Sequence, residues 1–396
     1  MKLFLTLFVL ITFYANTQAQ NQMENLNTII QTVKEKFAPD KRVALFNVDA
    51  VEDGNNIIIK GETNMPEAKS VLINNLKAAN LKFDDQIEVL PSEKLNGKVY
   101  GVINLSVANL RSKPDHPAEL VTQSILGTPV KVLKKGQDGY YLVQTPDGYI
   151  SWLDNDGFQF MDKDEYNKWV LSDKVIYLNA YGLCYSQPDD KSQQISDLVA
   201  GNILKFSGEE QEYFKVEFPD KRIGYIKKND SKLFSNWYDS NNPTDENILN
   251  TAHRFMGTPY LWGGTSAKGM DCSGFTKTVF FLNGIILNRD ASQQVNAGEL
   301  VDTENGWENL QTGDLLFFGF KATPEKKERI THVAIYIGDG DFIHDAGRVK
   351  INSFNPDKSY YSDYRKSGFI RAKRYLNSVG SAGIEKILDN SFYKLQ

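Results

Sequence analysis

The stretch that most constrains this chain runs from Gly257 to Phe275. It opens Gly257-Thr258-Pro259-Tyr260-Leu261-Trp262-Gly263-Gly264 and closes Met270-Asp271-Cys272-Ser273-Gly274-Phe275. The spacing predicts a glycine-rich loop that delivers a cysteine to the first turn of a helix. Phe275, Val279 and Leu282 recur along one apolar helical face, and Gly284 sits where the helix would stop. Asp271 is placed to cap the first turn. A thiol at a helix N-terminus faces unpaired N–H groups and the positive end of the dipole, so its pKa is expected to fall. The same residue read as a buried structural cysteine is equally compatible with the local sequence.

Cysteine chemistry needs a base. Of four histidines, two stand close together in strand-like segments, Thr331-His332-Val333-Ala334-Ile335-Tyr336-Ile337-Gly338 and Asp341-Phe342-Ile343-His344-Asp345. In this order the three motifs resemble the NlpC-type cell-wall cysteine peptidases, over roughly residues 243–373. The resemblance implies a papain-like α+β domain in which Cys272 is the nucleophile, His332 the base and then the acid, and His344 the residue that orients His332. It also implies that Tyr260, twelve residues before Cys272, lies beside the nucleophile. The Cys272 N–H is a candidate oxyanion donor. No metal and no cofactor is called for. One point of geometry stays open. Asp339-Gly340 reads as a two-residue hairpin turn, which would set His344 opposite Ile335. Contact between the histidines then needs a bulge, a longer loop or strong twist.

The rest of the chain reads in order. Residues 1–20 carry Lys2, a short apolar run and a small-residue site at Thr17-Gln18-Ala19, and are expected to be a signal peptide. The run is too short to span a bilayer. The mature protein is expected to be exported, periplasmic or secreted, without a membrane span. A net charge of −5 argues against a nucleic-acid partner. Residues 21–95 read as a small α/β domain: a helix from Met23 to Phe37, strands at Val43–Val51 and Asn56–Lys60, and a helix from Pro66 to Asn80. Cys184 is expected to pack as a small apolar residue, since pairing it with Cys272 would consume the nucleophile. The peptidase domain is assigned to residues 241–376, opening with a helix from Thr244 to Met256. Residues 377–396 are a polar tail, with helix as one reading and no assigned role.

Between them the chain repeats. Ser112-Lys113-Pro114-Asp115 recurs as Ser186-Gln187-Pro188-Asp189, and Tyr141-Leu142-Val143 recurs as Phe214-Lys215-Val216, at offsets of 74 and 73 residues. Short strands at such spacing suggest two small β-barrels, 96–165 and 166–240; a single sandwich is the alternative. They resemble tandem bacterial SH3-like domains. The loop around Glu119 resembles one in peptidoglycan-recycling members of the family, where the matching Glu and a later Tyr, here Tyr149, bind a free amine. Asp271, Ser273 and Ser292 match positions that hold the L-Ala-γ-D-Glu part of a stem peptide. The reading is a monomeric endopeptidase acting on the γ-D-Glu–diamino acid bond of peptidoglycan stem peptides with free N-terminal L-Ala, the diamino acid being diaminopimelate or lysine. Alternatives are an amidase or acyltransferase on the same fold, or a non-catalytic wall-binding scaffold.

Overall fold

Alternating and 3.6-residue patterns along the chain build a mixed α+β protein, mostly sheet, described by a computed structural model over residues 22–54 and 56–395. The segment read as a signal peptide lies outside the described residues. The chain divides after Asn96 into two units.

In the first unit, residues 22–37 form a helix that buries Leu26, Ile30 and Val33. Phe46–Asp53 runs antiparallel to Asn56–Thr63, which is parallel to Asp84–Val89. The parallel pair needs a crossover, and the helix Pro66–Ala78 supplies it, burying Ala68, Leu72 and Leu76. Strand Asp84–Val89 escapes a sequence reading because only Ile87 in it is buried.

The second unit holds two seven-stranded sheets of identical strand order. In the first the order is Phe158–Met161, Tyr100–Ile103, Pro129–Lys135, Tyr140–Gln144, Ile150–Asp154, Val107–Arg111, Leu120–Ile125. The second repeats it as Ser231–Leu233, Lys174–Tyr177, Ile203–Glu210, Tyr213–Glu217, Ile223–Lys227, Tyr181–Tyr185, Gln194–Val199. Irregularities repeat as well: the register shift at Leu110/Arg111 recurs at Cys184/Tyr185, and that between Val132 and Lys134 recurs between Phe206 and Gly208. A bulge bends a strand and increases its twist, so matched bulges give the two sheets matched curvature. Cys184 is a free, fully buried member of the second sheet's apolar core.

A further sheet has six strands, ordered Glu299–Val301, Phe369–Arg374, Leu315–Phe320, Arg329–Gly338, Asp341–Asp345, Val349–Ser353. The helix Cys272–Phe281 packs on one face through Phe275 and Val279, against Leu315, Phe317, Val333, Ile335 and Ile343. The opposite face carries an aromatic layer of Phe318, Tyr336, Phe342 and Phe354, with Trp307 and Phe369 at its edge. Strands buried on both faces read as continuous apolar runs, as Leu315-Leu316-Phe317-Phe318 does. The opening helix spans Asp245–His253, capped by the Thr244 hydroxyl, and so ends before Met256.

The tail is a correction to the helical reading. Ile384–Lys386 forms a strand antiparallel to Ile285–Leu287. Ile387 is fully buried with Ile176, Ile203, Trp237 and Ile286, which come from the second sheet, the helix after it and the cysteine region. The Asn390 amide donates to the Pro146 carbonyl at 2.8 Å. The tail therefore ties three parts of the second unit together. Truncating a buried Ile to Ala typically costs about 2–5 kcal/mol. Ile387→Ala should lower the urea unfolding free energy by about that much, whereas replacing the exposed Leu395 should change it little.

Candidate active site

Asp271 has extended backbone and ends the glycine loop. Its Oδ1 accepts from the Gly274 N–H at 2.7 Å, which caps the cysteine helix, and its Oδ2 accepts from the Gly263 N–H at 3.0 Å, which pins the loop. Gly274 is required by proximity: a Cβ there would stand 2.0 Å from the Gly264 carbonyl oxygen. Arg289, 1% exposed, grips both Asp271 oxygens at 3.0 and 2.6 Å. The same guanidinium donates to the Ser273 hydroxyl at 3.1 Å and to the Thr122 hydroxyl, on the first sheet, at 2.9 Å. Burial alone would raise the Asp271 pKa, but the Arg289 charge and the hydrogen bonds from Arg289, Gly274 and Gly263 outweigh it and hold the carboxyl below its usual range.

Cys272 is the first residue of the helix and 7% exposed. The Val333 N–H is hydrogen-bonded to its sulfur, which sets the thiol against the strand that carries His332. The expected fall in thiol pKa does not occur. Burial first, and the Asp271 carboxylate second, push the Cys272 thiol up to about 12, against the opposing pull of the Val333 and Ser273 amides and Arg289. Amides at the helix start favour the thiolate, but desolvating the sulfur and placing an anion one residue away costs more.

The histidines meet through a bulge. Asp339 and Gly340 both have positive φ, as the two-residue turn requires, and Gly338 pairs with Asp341. One residue, Ile337, is then extra, so that Tyr336 pairs with Phe342 and Ile335 with Ile343. The shift turns His344 to the face of His332, and His332 Nε2 lies 2.7 Å from His344 Nδ1. His344 Nε2 lies 2.9 Å from Asn352 Oδ1, and Asn352 Nδ2 donates to the Tyr360 carbonyl at 2.8 Å. Both rings are buried against aromatic neighbours, His332 on Phe318 and His344 on Phe342. Burial, followed by His344, Arg365 and Lys350, drives His332 well below the usual imidazole value. Burial takes His344 down to about 3. Asn352 was not singled out from the sequence: no motif marks an Asn eight residues beyond His344, and only strand pairing brings it there.

The other expected residues divide. Tyr260 pairs with Met270 in an isolated bridge beside the loop, and its phenol is shifted up by burial and then by Cys272, Asp271 and Asp345, so it borders Cys272. Ser273 shares Arg289 with Asp271. Tyr149 is buried in the turn before strand Ile150–Asp154 and lies close enough to Arg289 to act on its charge. Glu119 is exposed just before strand Leu120–Ile125 and accepts from the Trp262 indole N–H at 2.8 Å, so the loop leading into the first sheet touches the glycine loop. Ser292 is half-buried in the short helix Ala291–Gln294, one turn from Arg289 in sequence. Arg289, which no motif in the sequence marks, is the residue that organises the cluster. Among the described residues no group of three or more His, Cys, Asp or Glu side chains is placed to hold a metal.

The family model described as NlpC/P60 matches residues 257–369, and that described as bacterial dipeptidyl-peptidase SH3 domain matches residues 110–158. A γ-D-glutamyl-L-lysine dipeptidyl-peptidase of Bacillus cereus is 32% identical over 233 residues, covering 57% of this chain and 67% of the relative. One of Bacillus subtilis is 35% identical over 246 residues, covering 58% and 75%. The crystal structure of an NlpC/P60 family protein from Bacillus cereus superposes with a TM-score of 0.60 at 26% identity, over 70% of this chain and 99% of that one.

Asp345 is the one ionisable group of the cluster whose buried oxygens are both without a hydrogen-bond partner. Burial, with Asp271 nearby, raises its carboxyl to about 7. The folded pKa lies above the unfolded value, so stability is fully present below about pH 4 and is lost as pH rises through about 7. Asp345→Asn should flatten that decline. Above pH 7 it should unfold at higher denaturant concentration than the parent, by a margin on the order of 1–3 kcal/mol; urea titrations at pH 5 and pH 8 read the difference.

Proposed function

The chain belongs to the NlpC/P60 family of cysteine peptidases, and from that premise we propose that it cleaves the amide between γ-D-glutamate and the following diamino acid in peptidoglycan stem peptides. The preferred substrate carries a free N-terminal L-alanine. The observation that carries the reading is the buried relay His332–His344–Asn352 standing beside a cysteine at a helix start. The names of the Bacillus relatives support the bond. Glu119 in the loop before the first sheet's strand Leu120–Ile125, facing the glycine loop through Trp262, supports recognition of an ammonium group. We further propose that residues 1–20 direct export; among the described residues no helix is long and apolar enough to cross a membrane.

The relay admits one self-consistent proton arrangement. The Tyr360 carbonyl only accepts, so Asn352 turns Nδ2 toward it and Oδ1 toward His344. His344 therefore carries its proton on Nε2 and accepts at Nδ1. His332 donates from Nε2, which leaves its Nδ1 lone pair as the base. With the thiol pKa raised and the imidazole pKa lowered, the resting pair is neutral. The thiol proton passes to His332 Nδ1 as sulfur bonds to the carbonyl carbon, and the Cys272 N–H faces the oxyanion. His332 then protonates the leaving amine, and water, deprotonated by the same nitrogen, releases the acyl group. Cys272→Ala should abolish turnover. Because His332 and His344 are held low, kcat/KM should stay flat down to below pH 6.5. Asn352→Asp places an anion on His344 and should move the acid limb up by about one unit or more. Asn352→Leu frees the tautomer and should lower kcat roughly tenfold or more.

Glu119→Gln keeps an acceptor for Trp262 and removes only the charge. It should cut kcat/KM for Ala-γ-Glu-diaminopimelate roughly tenfold, the size of one charge-assisted hydrogen bond. The comparison to run is free tripeptide, its N-acetyl form and purified sacculi. Equal rates on all three by the parent protein would sink the free-amine specificity and leave a general wall hydrolase.

A further inference from the structure

Arg365 stands at the site with no counter-ion among the described residues. Arg365 belongs to the short helix Asp363–Ser367, and its backbone N–H is taken by the Ser362 hydroxyl. Its guanidinium lies 5.7 Å from the Phe318 ring and 5.2 Å from that of Tyr364, which is 75% exposed. No ion pair or guanidinium hydrogen bond joins it to a described residue. Its neighbours in sequence differ: Arg371 pairs with Glu328, and Arg374 grips Asp314 at 2.8 Å. An arginine fork left without an acceptor while half-buried forgoes the hydrogen bonds that normally offset its desolvation.

Phe318 is the direct cross-strand partner of His332, with ring centroids 5.7 Å apart, so Arg365 stands one ring away from that histidine. Lys350 is the direct cross-strand partner of His344 and adds a second positive charge on that side. Arg365 also acts electrostatically on Cys272 and Tyr260, across the site. A base that protonates the leaving amine must have the leaving residue over it. The residue after the scissile bond would therefore sit on the His332 side of the site.

We propose that Arg365 is a carboxylate subsite for the residue that follows the scissile amide. The inference rests on the stem-peptide reading above. The carboxylate is either the α-carboxylate of a peptide that ends at this residue or the side-chain carboxylate of a diaminopimelate. A lysine side chain offers an ammonium instead, which Arg365 and Lys350 would repel.

The experiment uses four substrates: L-Ala-γ-D-Glu tripeptides ending in diaminopimelate or lysine, each as the free α-acid and as the α-amide. If the α-carboxylate is the ligand, amidation lowers kcat/KM at least tenfold for both residues, through KM. If the side-chain carboxylate is the ligand, diaminopimelate outranks lysine at least tenfold in either form. In both cases Arg365→Gln collapses the affected ratio toward one by raising KM, and Arg365→Lys restores part of it. Thermal unfolding checks that the variants are folded. Equal rates on all four substrates in the parent would overturn the proposal, as would Arg365→Gln lowering kcat alike on all four with ratios intact, which is the signature of a packing role on Phe318. Failure of the parent to cleave any of the four would instead refute the stem-peptide reading.

Discussion

The buried pair of Asp271 and Arg289 is the interaction on which the rest of the site depends. Taking two charges out of water is costly, and their attraction repays it only when the geometry is good and the remaining donors and acceptors are met. Here both carboxylate oxygens face the guanidinium, and each also accepts a backbone N–H. The spare guanidinium donors reach Ser273 and Thr122. One ion pair thus joins the glycine loop, the start of the cysteine helix and the first sheet. Losing either partner would strand a buried charge beside Cys272.

The same anion explains the resting state of the site. Asp271 precedes Cys272 and works against a thiolate, while burial disfavours the charged forms of both cysteine and histidine. Both the Cys272 thiol and the His332 imidazole are thereby held in their neutral forms. Direction is supplied by the relay through His344 to Asn352, sealed behind by Phe318, Phe342 and Phe354. With no second carboxylate at its end, an amide locked by a backbone carbonyl sets the tautomer.

The first sheet is part of the site as much as the domain that carries the cysteine. Gln123 accepts from the Thr265 N–H at 3.0 Å, Asp147 pairs with Lys277 of the cysteine helix at 3.1 Å, and Glu119 holds Trp262. These contacts are polar and directional, so they fix orientation between the two parts, where an apolar patch would allow sliding. Binding pockets commonly form at such junctions.

Local chemistry was legible in the sequence. The Asp271 cap, the helix at Cys272, the apolar strands around both histidines, the Asp339-Gly340 turn and the repeat all depend on residues near one another in the chain, and periodicity and turn preferences report such features. The six-stranded topology, the strand Asp84–Val89 and the strand in the tail did not follow, because pairing partners far apart leave no period. The site divides in the same way. Sequence by itself determined which residues could be nucleophile and base. Only the tertiary structure decided that Ile337 bulges so that the histidines touch, that Asn352 ends the relay, that Arg289 anchors Asp271 and that Arg365 stands unpaired. Each of those is a contact between segments whose relation is set by register and packing, and a shift of one residue in a strand would have turned the same side chains to the other face.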